Sequence, residues 1–236
     1  MLRRALVLFC ATGSVLGATL GLVGCHRATP VFVTTGGDDA PARRGETYRW
    51  SFDQGSGAFT GTLPFEAPRR LFFDVLGRWE IAADANAPSL PNVYRQTRLY
   101  GDDDAPRVVV SHLSFGDLRA RVSCLGESCG LIVRAQDQDD YYLAEADARA
   151  SSVRLFRVVG GVRDELAAVA MPVDPSRWHA LEVSAHKRVL SVTWDGEPIL
   201  DARDDAFRSG KLGLEADPKS TTAFDDLEVT ADGGAW

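Results

Sequence analysis

Apolar and polar positions alternate with a period of two along most of this chain. Leu118, Ala120, Val122 and Cys124 interleave with Arg119, Arg121 and Ser123, as in a strand with one buried and one wet face. Leu181, Val183 and Ala185 face one way, with Trp178, Glu182 and Ser184 on the other side. Leu131-Ile132-Val133 is a short continuous apolar run. Turn signals punctuate these runs. Gly160-Gly161 follows Val153 to Val159, and Asp195-Gly196, which favours a type I′ turn, lies between Leu190-Val192-Trp194 and Pro198-Ile199-Leu200. Such signals recur about every 8–12 residues and no helical period is sustained, which predicts an all-β, antiparallel sandwich or barrel rather than βα units. One domain spans 47–230, followed by a tail at 231–236. From Asp84 to Asp104 the prolines, Gly101 and three consecutive aspartates predict long loops.

The first 24 residues read differently. Arg3 and Arg4 precede an apolar run from Ala5 that becomes rich in small residues, the form of an export signal that is removed. Leu22-Val23-Gly24-Cys25 resembles the bacterial lipobox, which implies a lipidated Cys25 at the new N-terminus and a membrane partnership through that lipid. An uncleaved span is the alternative, weakened by Thr12, Gly13, Ser14, Gly17, Thr19 and Gly21. His26 stands where an Asp would signal inner-membrane retention in enteric bacteria, so the expected address is the outer membrane of the cell envelope. Residues 25–46, with Pro30, Gly36, Gly37 and Pro41, read as a flexible tether.

Charge narrows the function classes. The 236 residues carry 26 Lys and Arg against 33 Asp and Glu, a net charge of −7. Losing Arg3 and Arg4 with the leader takes the 26 to 24 and the net charge to −9. Such a chain lacks the basic field of a sequence-independent nucleic-acid binder. Of four Cys, Cys10 leaves with the signal and Cys25 takes the lipid. Cys124 and Cys129 remain, close enough across a four-residue hairpin loop to form a disulfide in an oxidising compartment. Zinc is the alternative reading, and no further Cys or close His pair completes four ligands.

Beyond single strands, Gly130 to Asp137, Asp140-Tyr141-Tyr142-Leu143 and Val153 to Val159 together resemble a bacterial family of concanavalin A-like, laminin G-like jelly rolls. Exported proteins grouped with the 3-keto-disaccharide hydrolase domain are similar. Trp50-Ser51-Phe52-Asp53, Gly77-Arg78-Trp79-Glu80 and Ala223 to Val229 fall in matching order. The resemblance implies a β-sandwich and a calcium site between the first and last strands, with Asp53 and Asp225 as the metal ligands and backbone carbonyls completing the shell. No other cofactor is expected. It leaves activity open, since this fold carries lectins, glycosidases and structural modules.

Several constellations invite chemistry. Glu145 and Asp147, two apart on one strand, share a face and resemble part of the acid cluster of concanavalin A-like glucanases. Arg149 and Ala150 follow where a further Glu would complete it, so no catalytic residue is assigned. Gly126-Glu127-Ser128-Cys129-Gly130 matches a nucleophile elbow in letters, but strand rather than helix follows. His26, His112, His179 and His186 form no metalloprotease motif. Asp102-Asp103-Asp104 and Asp137, Asp139 and Asp140 read as solvated loop tips rather than EF-hand loops. Tyr141 and Tyr142 must face opposite ways in a strand, so an exposed ring beside Arg134, Glu145 and Asp147 would suit a sugar. The expected function is non-catalytic glycan binding by a lipid-anchored sandwich. A glycoside-cleaving enzyme and a structural envelope protein are the alternatives.

Overall fold

A computed structural model describes residues 40–53, 57–58, 72–97, 105–110 and 113–232. The export signal, Cys25, most of the tether, His26, His112 and Asp102-Asp103-Asp104 lie outside the described residues. Among those described there are strands and turns and no helix. In chain order the strands are β1 (Ala40–Pro41), β2 (Thr47–Trp50), β3 (Gly57–Ala58), β4 (Phe72–Leu76), β5 (Trp79–Ala83) and β6 (Asn92–Gln96). There follow β7 (Arg107–Val110), β8 (Leu113–Ser114), β9 (Leu118–Leu125), β10 (Ser128–Ala135), β11 (Tyr141–Asp147) and β12 (Ser152–Val159). The last six are β13 (Val162–Ala170), β14 (His179–His186), β15 (Val189–Trp194), β16 (Glu197–Arg203), β17 (Lys211–Ala216) and β18 (Thr222–Ala231).

Two antiparallel sheets result. One runs β13-β12-β11-β10-β17-β7-β4; the other runs β16-β15-β14-β9-β18-β6-β5-β3, with β2 also paired to β18. The chain is an all-β sandwich. Alternation explains its core: Leu118, Ala120, Val122 and Cys124 meet Leu131, Val133, Ala144 and Leu155 from the facing sheet, all fully or nearly fully buried. Stacked rings add to this at one end, with Trp79 and Phe52 each 5.1 Å from Tyr94 between centroids. The hairpin turns fall where the glycines place them. Gly160 and Gly161 have φ of 56° and 77°, and Asp195 and Gly196 have 50° and 87°, as type I′ turns require.

Three expectations change. The 84–104 stretch is not all loop, because β6 runs within it and pairs with both β5 and β18. The domain begins before residue 47: β1 pairs in parallel with β8, and Ala42 is buried in the core. Cys124 and Cys129 are bonded, yet they do not close a hairpin. β9 belongs to one sheet and β10 to the other, so the disulfide links the two layers through the core.

β10 and β11 are buried on both faces. Their inner face meets the facing sheet. Their outer face carries a second apolar cluster, Ile132, Ala135, Tyr141, Leu143, Phe156 and Val158. A charged layer lies on top of that cluster.

Candidate functional site

The outer face of the seven-stranded sheet gathers three arginines, three carboxylates and two aromatic rings. β11 contributes Tyr141, Glu145 and Asp147, β12 contributes Arg154 and Phe156, and β13 contributes Arg163. From the far side come Arg107 of β7 and Glu215 of β17. Strand parity alone puts them on this face, since Tyr142, Ala144 and Ala146 take the inner one.

The groups are tightly linked. Arg163 bonds Glu145 at 3.3 Å and also pairs with Glu215. Arg154 reaches Glu145 at 2.9 Å and Asp147 at 3.0 Å. Arg107 donates to the Tyr141 hydroxyl at 2.9 Å, and that hydroxyl donates to Glu215 at 3.2 Å. Arg154 and Arg163 cover the Phe156 ring at 5.1 and 5.5 Å, and Arg107 lies 5.8 Å from that of Tyr141.

Register explains how two strands' acids approach. Glu145 and Glu215 are both Cα partners of Gly130, one on each side of β10. A Cβ at Gly130 would stand 2.7 Å from the Cβ of Glu215, so only glycine leaves room for that side chain. Arg163 on edge strand β13 still reaches Glu215 on β17, four strands away. In a flat sheet that gap would be about 19 Å, beyond the reach of one Arg and one Glu. The face is therefore concave.

Burial sets the electrostatics. It raises the Glu145 carboxyl, Glu215 raises it further, and Arg163 and Arg154 oppose both. The Tyr141 phenol is pushed up by burial and by Glu215. Burial disfavours the charge on Arg163, but Glu215 and Glu145 outweigh it and hold the guanidinium firmly protonated. Two donors stay orphaned here: the buried Nε–H groups of Arg107 and Arg154 have no acceptor among the described residues. Buried donors normally find partners, so these two carry a desolvation cost beneath the charged layer.

The five residues expected to bind glycan divide. Tyr141, Glu145 and Asp147 meet on the concave face, although Tyr141 is covered by the arginines rather than exposed. Tyr142 is fully buried on the core side, its hydroxyl donating to Asp204 and its ring edge-on to Phe207 at 5.2 Å. Burial and the Asp204 hydrogen bond push that phenol up to about 12. Arg134 also leaves the site. Strand parity would place it beside Tyr141, but its left-handed backbone (φ 53°) and the register shift between Ile132 and Ala135 turn it away. Its guanidinium is wholly buried and bonded to Asp117 and to the carbonyls of Gly116, Ala185, Lys187 and Phe207. Both residues hold the fold. Arg107, Arg154, Arg163 and Glu215 are the members that sequence reading missed, because each comes from a different strand and pairs only across the sheet.

Other candidates resolve into structure. Ser128 opens β10 and donates to Glu145 at 3.2 Å, with strand rather than helix after it. His179 has both ring nitrogens engaged, with Asp195 at 2.7 Å and the Asp174 carbonyl at 3.0 Å. Asp137 accepts from the backbone of Asp139 and Asp140, closing its own turn.

Asp53 and Asp225 brace one loop. Asp225 accepts from the Ser89 backbone at 2.8 Å and from its hydroxyl at 3.0 Å, while Asn92 donates to Asp53 at 3.4 Å. Asp225 is wholly buried with no cationic partner among the described residues, and burial pushes its carboxyl up to about 6. No group of three or more acidic, His or Cys ligands occurs among the described residues. The donors at hand are all oxygens: Asp225, Asp53, the Ser89 hydroxyl and the Ser51 carbonyl it contacts at 3.4 Å. A cation bound there would neutralise Asp225, but the oxygens named are fewer than the roughly six to eight that calcium takes, and Asp225 already accepts from Ser89 and from the Asp226 amide.

The carbohydrate binding module CBM66 from Bacillus subtilis superposes with a TM-score of 0.58 at 21% identity, over 70% of this chain and 99% of that one. A beta-glucanase from Bacillus licheniformis gives 0.52 at 11% identity, over 80% of this chain and 99% of the enzyme. The fold is the concanavalin A-like jelly roll. A Bacillus subtilis protein of unknown function with a galectin-like fold shares the jelly roll at 0.51 and 13% identity, over 75% of this chain and 98% of its own. In sequence, a levanase from Bacillus subtilis is 28% identical over 91 residues. That match takes in 38% of this chain and 13% of the levanase. No family model matches the chain.

Proposed function

We propose that the concave face of the jelly roll recognises carbohydrate without cleaving it. One observation carries this reading: on the concave face a layer of paired acids and guanidinium planes lies over the Phe156 and Tyr141 rings. Sugar hydroxyls both donate and accept, and such a surface answers both. The likeness to a carbohydrate binding module and to part of a levanase supports the same ligand class. Glu145, Asp147 and Glu215 are each ion-paired, which suits a rigid binding surface and deprives hydrolysis of a free proton donor among them.

The test is binding of the purified protein to a glycan array that includes levan and inulin, beside a reducing-sugar release assay. Binding lost in Arg154→Ala and Tyr141→Phe is the expected result. No binding across the array overturns it. A second reading has its own observation. Glu145 and Glu215 lie two strand spacings apart, about 9.6 Å between backbones, with Glu145 raised by burial. Sugar release abolished by Glu145→Gln would establish cleavage instead.

We further propose that the protein is an envelope lipoprotein, lipidated at Cys25 and held at the outer membrane. The lipobox Leu22-Val23-Gly24-Cys25 supports this reading. Mass spectrometry of the mature N-terminus tests the anchor: diacylglycerol and an acyl chain on Cys25 are expected, and an intact Met1 terminus rules it out. Fractionation of inner and outer membranes tests the address.

A further inference from the structure

The turn between β14 and β15 places a lysine where glycine is the natural choice. Lys187 has φ 52°, and two-residue hairpin turns with a left-handed position favour Gly, Asn or Asp there. The strain is held by buried partners. The Lys187 amide donates to Asp117 at 2.7 Å and its carbonyl accepts from Arg134 at 2.8 Å. On the other side, the Arg188 carbonyl accepts from the Asp204 amide at 2.9 Å, and Arg134 also bonds the Phe207 carbonyl at 3.2 Å. The wholly buried Arg134 thus joins the turn to the 204–210 segment.

Between turn and segment lies a hollow of about 210 Å³ lined by Lys187, Arg188, Asp205 and Arg208. It holds three cationic side chains and one acid in a chain whose net charge is −7. Among the described residues none of the three cations has an ion-pair partner. The arginines of the concave face are all paired, as is Arg157 with Asp204 and Asp164. Exposed cations of like sign that line one hollow repel one another, if weakly, and an anion between them removes that repulsion. Two guanidinium forks and an ammonium match the oxygens of a tetrahedral oxyanion.

We infer that this hollow is an oxyanion site, taking a phosphate or sulfate group either as the free ion or as the ester of a small sugar. Lys187 and Arg188 supply one wall and Arg208 the other. The buried hydrogen bonds fix the backbone of Lys187, while the three cationic side chains themselves are exposed. The site is separate from the concave face and does not depend on what that face binds.

Amide chemical shifts of the isotope-labelled protein read the site directly. Inorganic phosphate, inorganic sulfate and glucose 6-phosphate are titrated separately, with sodium chloride at matched ionic strength as the control. Saturable shifts centred on residues 187–188 and 205–208 are expected with the oxyanions and not with chloride. Tighter binding of glucose 6-phosphate than of phosphate identifies an ester site; equal or weaker binding identifies a free-ion site. Lys187→Gly and Arg208→Gln should each weaken binding about tenfold, as loss of one charged contact of about 1.4 kcal/mol does. Lys187→Gly also relieves the left-handed lysine, so its melting temperature should hold or rise, which separates lost binding from lost folding. Shifts that chloride reproduces, or affinity unchanged in both variants, overturn the inference.

Discussion

Glu145 and Glu215 face one another across Gly130, and the guanidinium of Arg163 binds both. Two acids that would repel in a low-dielectric setting are thereby held as part of one charge-balanced layer. The glycine is as much a part of the site as the acids. It is the one position on β10 where a side chain would stand between them.

Substituting Gly130 by Ala tests that geometry. The added Cβ would meet the Cβ of Glu215 at 2.7 Å, its carbonyl at 3.0 Å and a Leu143 methyl at 3.0 Å. Two of these atoms lie on neighbouring strands' side chains and one is backbone, so β10 and β17 must separate slightly. A loss of about 1–3 kcal/mol by urea unfolding is expected, with glycan binding reduced as well.

The paired tyrosines should behave oppositely. Tyr142→Phe removes a buried hydroxyl bonded to Asp204 and to the Phe207 amide, which costs about 1–2 kcal/mol of stability and leaves binding alone. Tyr141→Phe breaks the Arg107–Tyr141–Glu215 chain on the concave face. Its effect should appear chiefly in glycan affinity. Unfolding curves and array binding of the two variants, measured side by side, check the assignment.

Asp225 predicts a pH dependence with a definite sign. Its carboxyl is raised from 3.8 to about 6, so the folded state holds a proton that the unfolded chain has already released. Its contribution to stability is present below pH 3.8 and is lost as pH rises through 6. The size is about 3 kcal/mol at 1.36 kcal/mol per pH unit. Asp225→Asn should flatten that part of the profile in chelator. Calcium should restore the wild-type loss by about 2.7 kcal/mol at a hundredfold excess over Kd, and do nothing for the variant. Wild-type melts that coincide in calcium and in chelator remove the metal.

The disulfide offers a fourth test. Cys124→Ala with Cys129→Ala opens a five-residue separation, and the chain-entropy model gives a loss of about 2 kcal/mol. Because the bond lies in the core between the sheets, glycan binding by the folded fraction should persist. Chemical denaturation under non-reducing conditions provides the comparison.

Local signals in the sequence were enough for the sandwich and for many of its turns. Alternation is a property of neighbouring residues, and Gly160-Gly161 or Asp195-Gly196 sets its turn through backbone preferences that need no partner. The same parity separated Tyr141 from Tyr142 correctly. What tertiary structure decided is which strands lie side by side. Glu145 lies 70 residues before Glu215 in the chain, and only the placement of both β11 and β17 against β10 brings them to one glycine. Arg134 shows the other limit. A single left-handed residue reversed the face that alternation assigns, because a bulge shifts parity by one and takes the side chain to the opposite side of the sheet. Cys124 and Cys129 lie close in sequence, and their bond was legible from that spacing. That it joins two sheets rather than one hairpin was not, since pairing between β9 and β10 depends on strands far away in the chain.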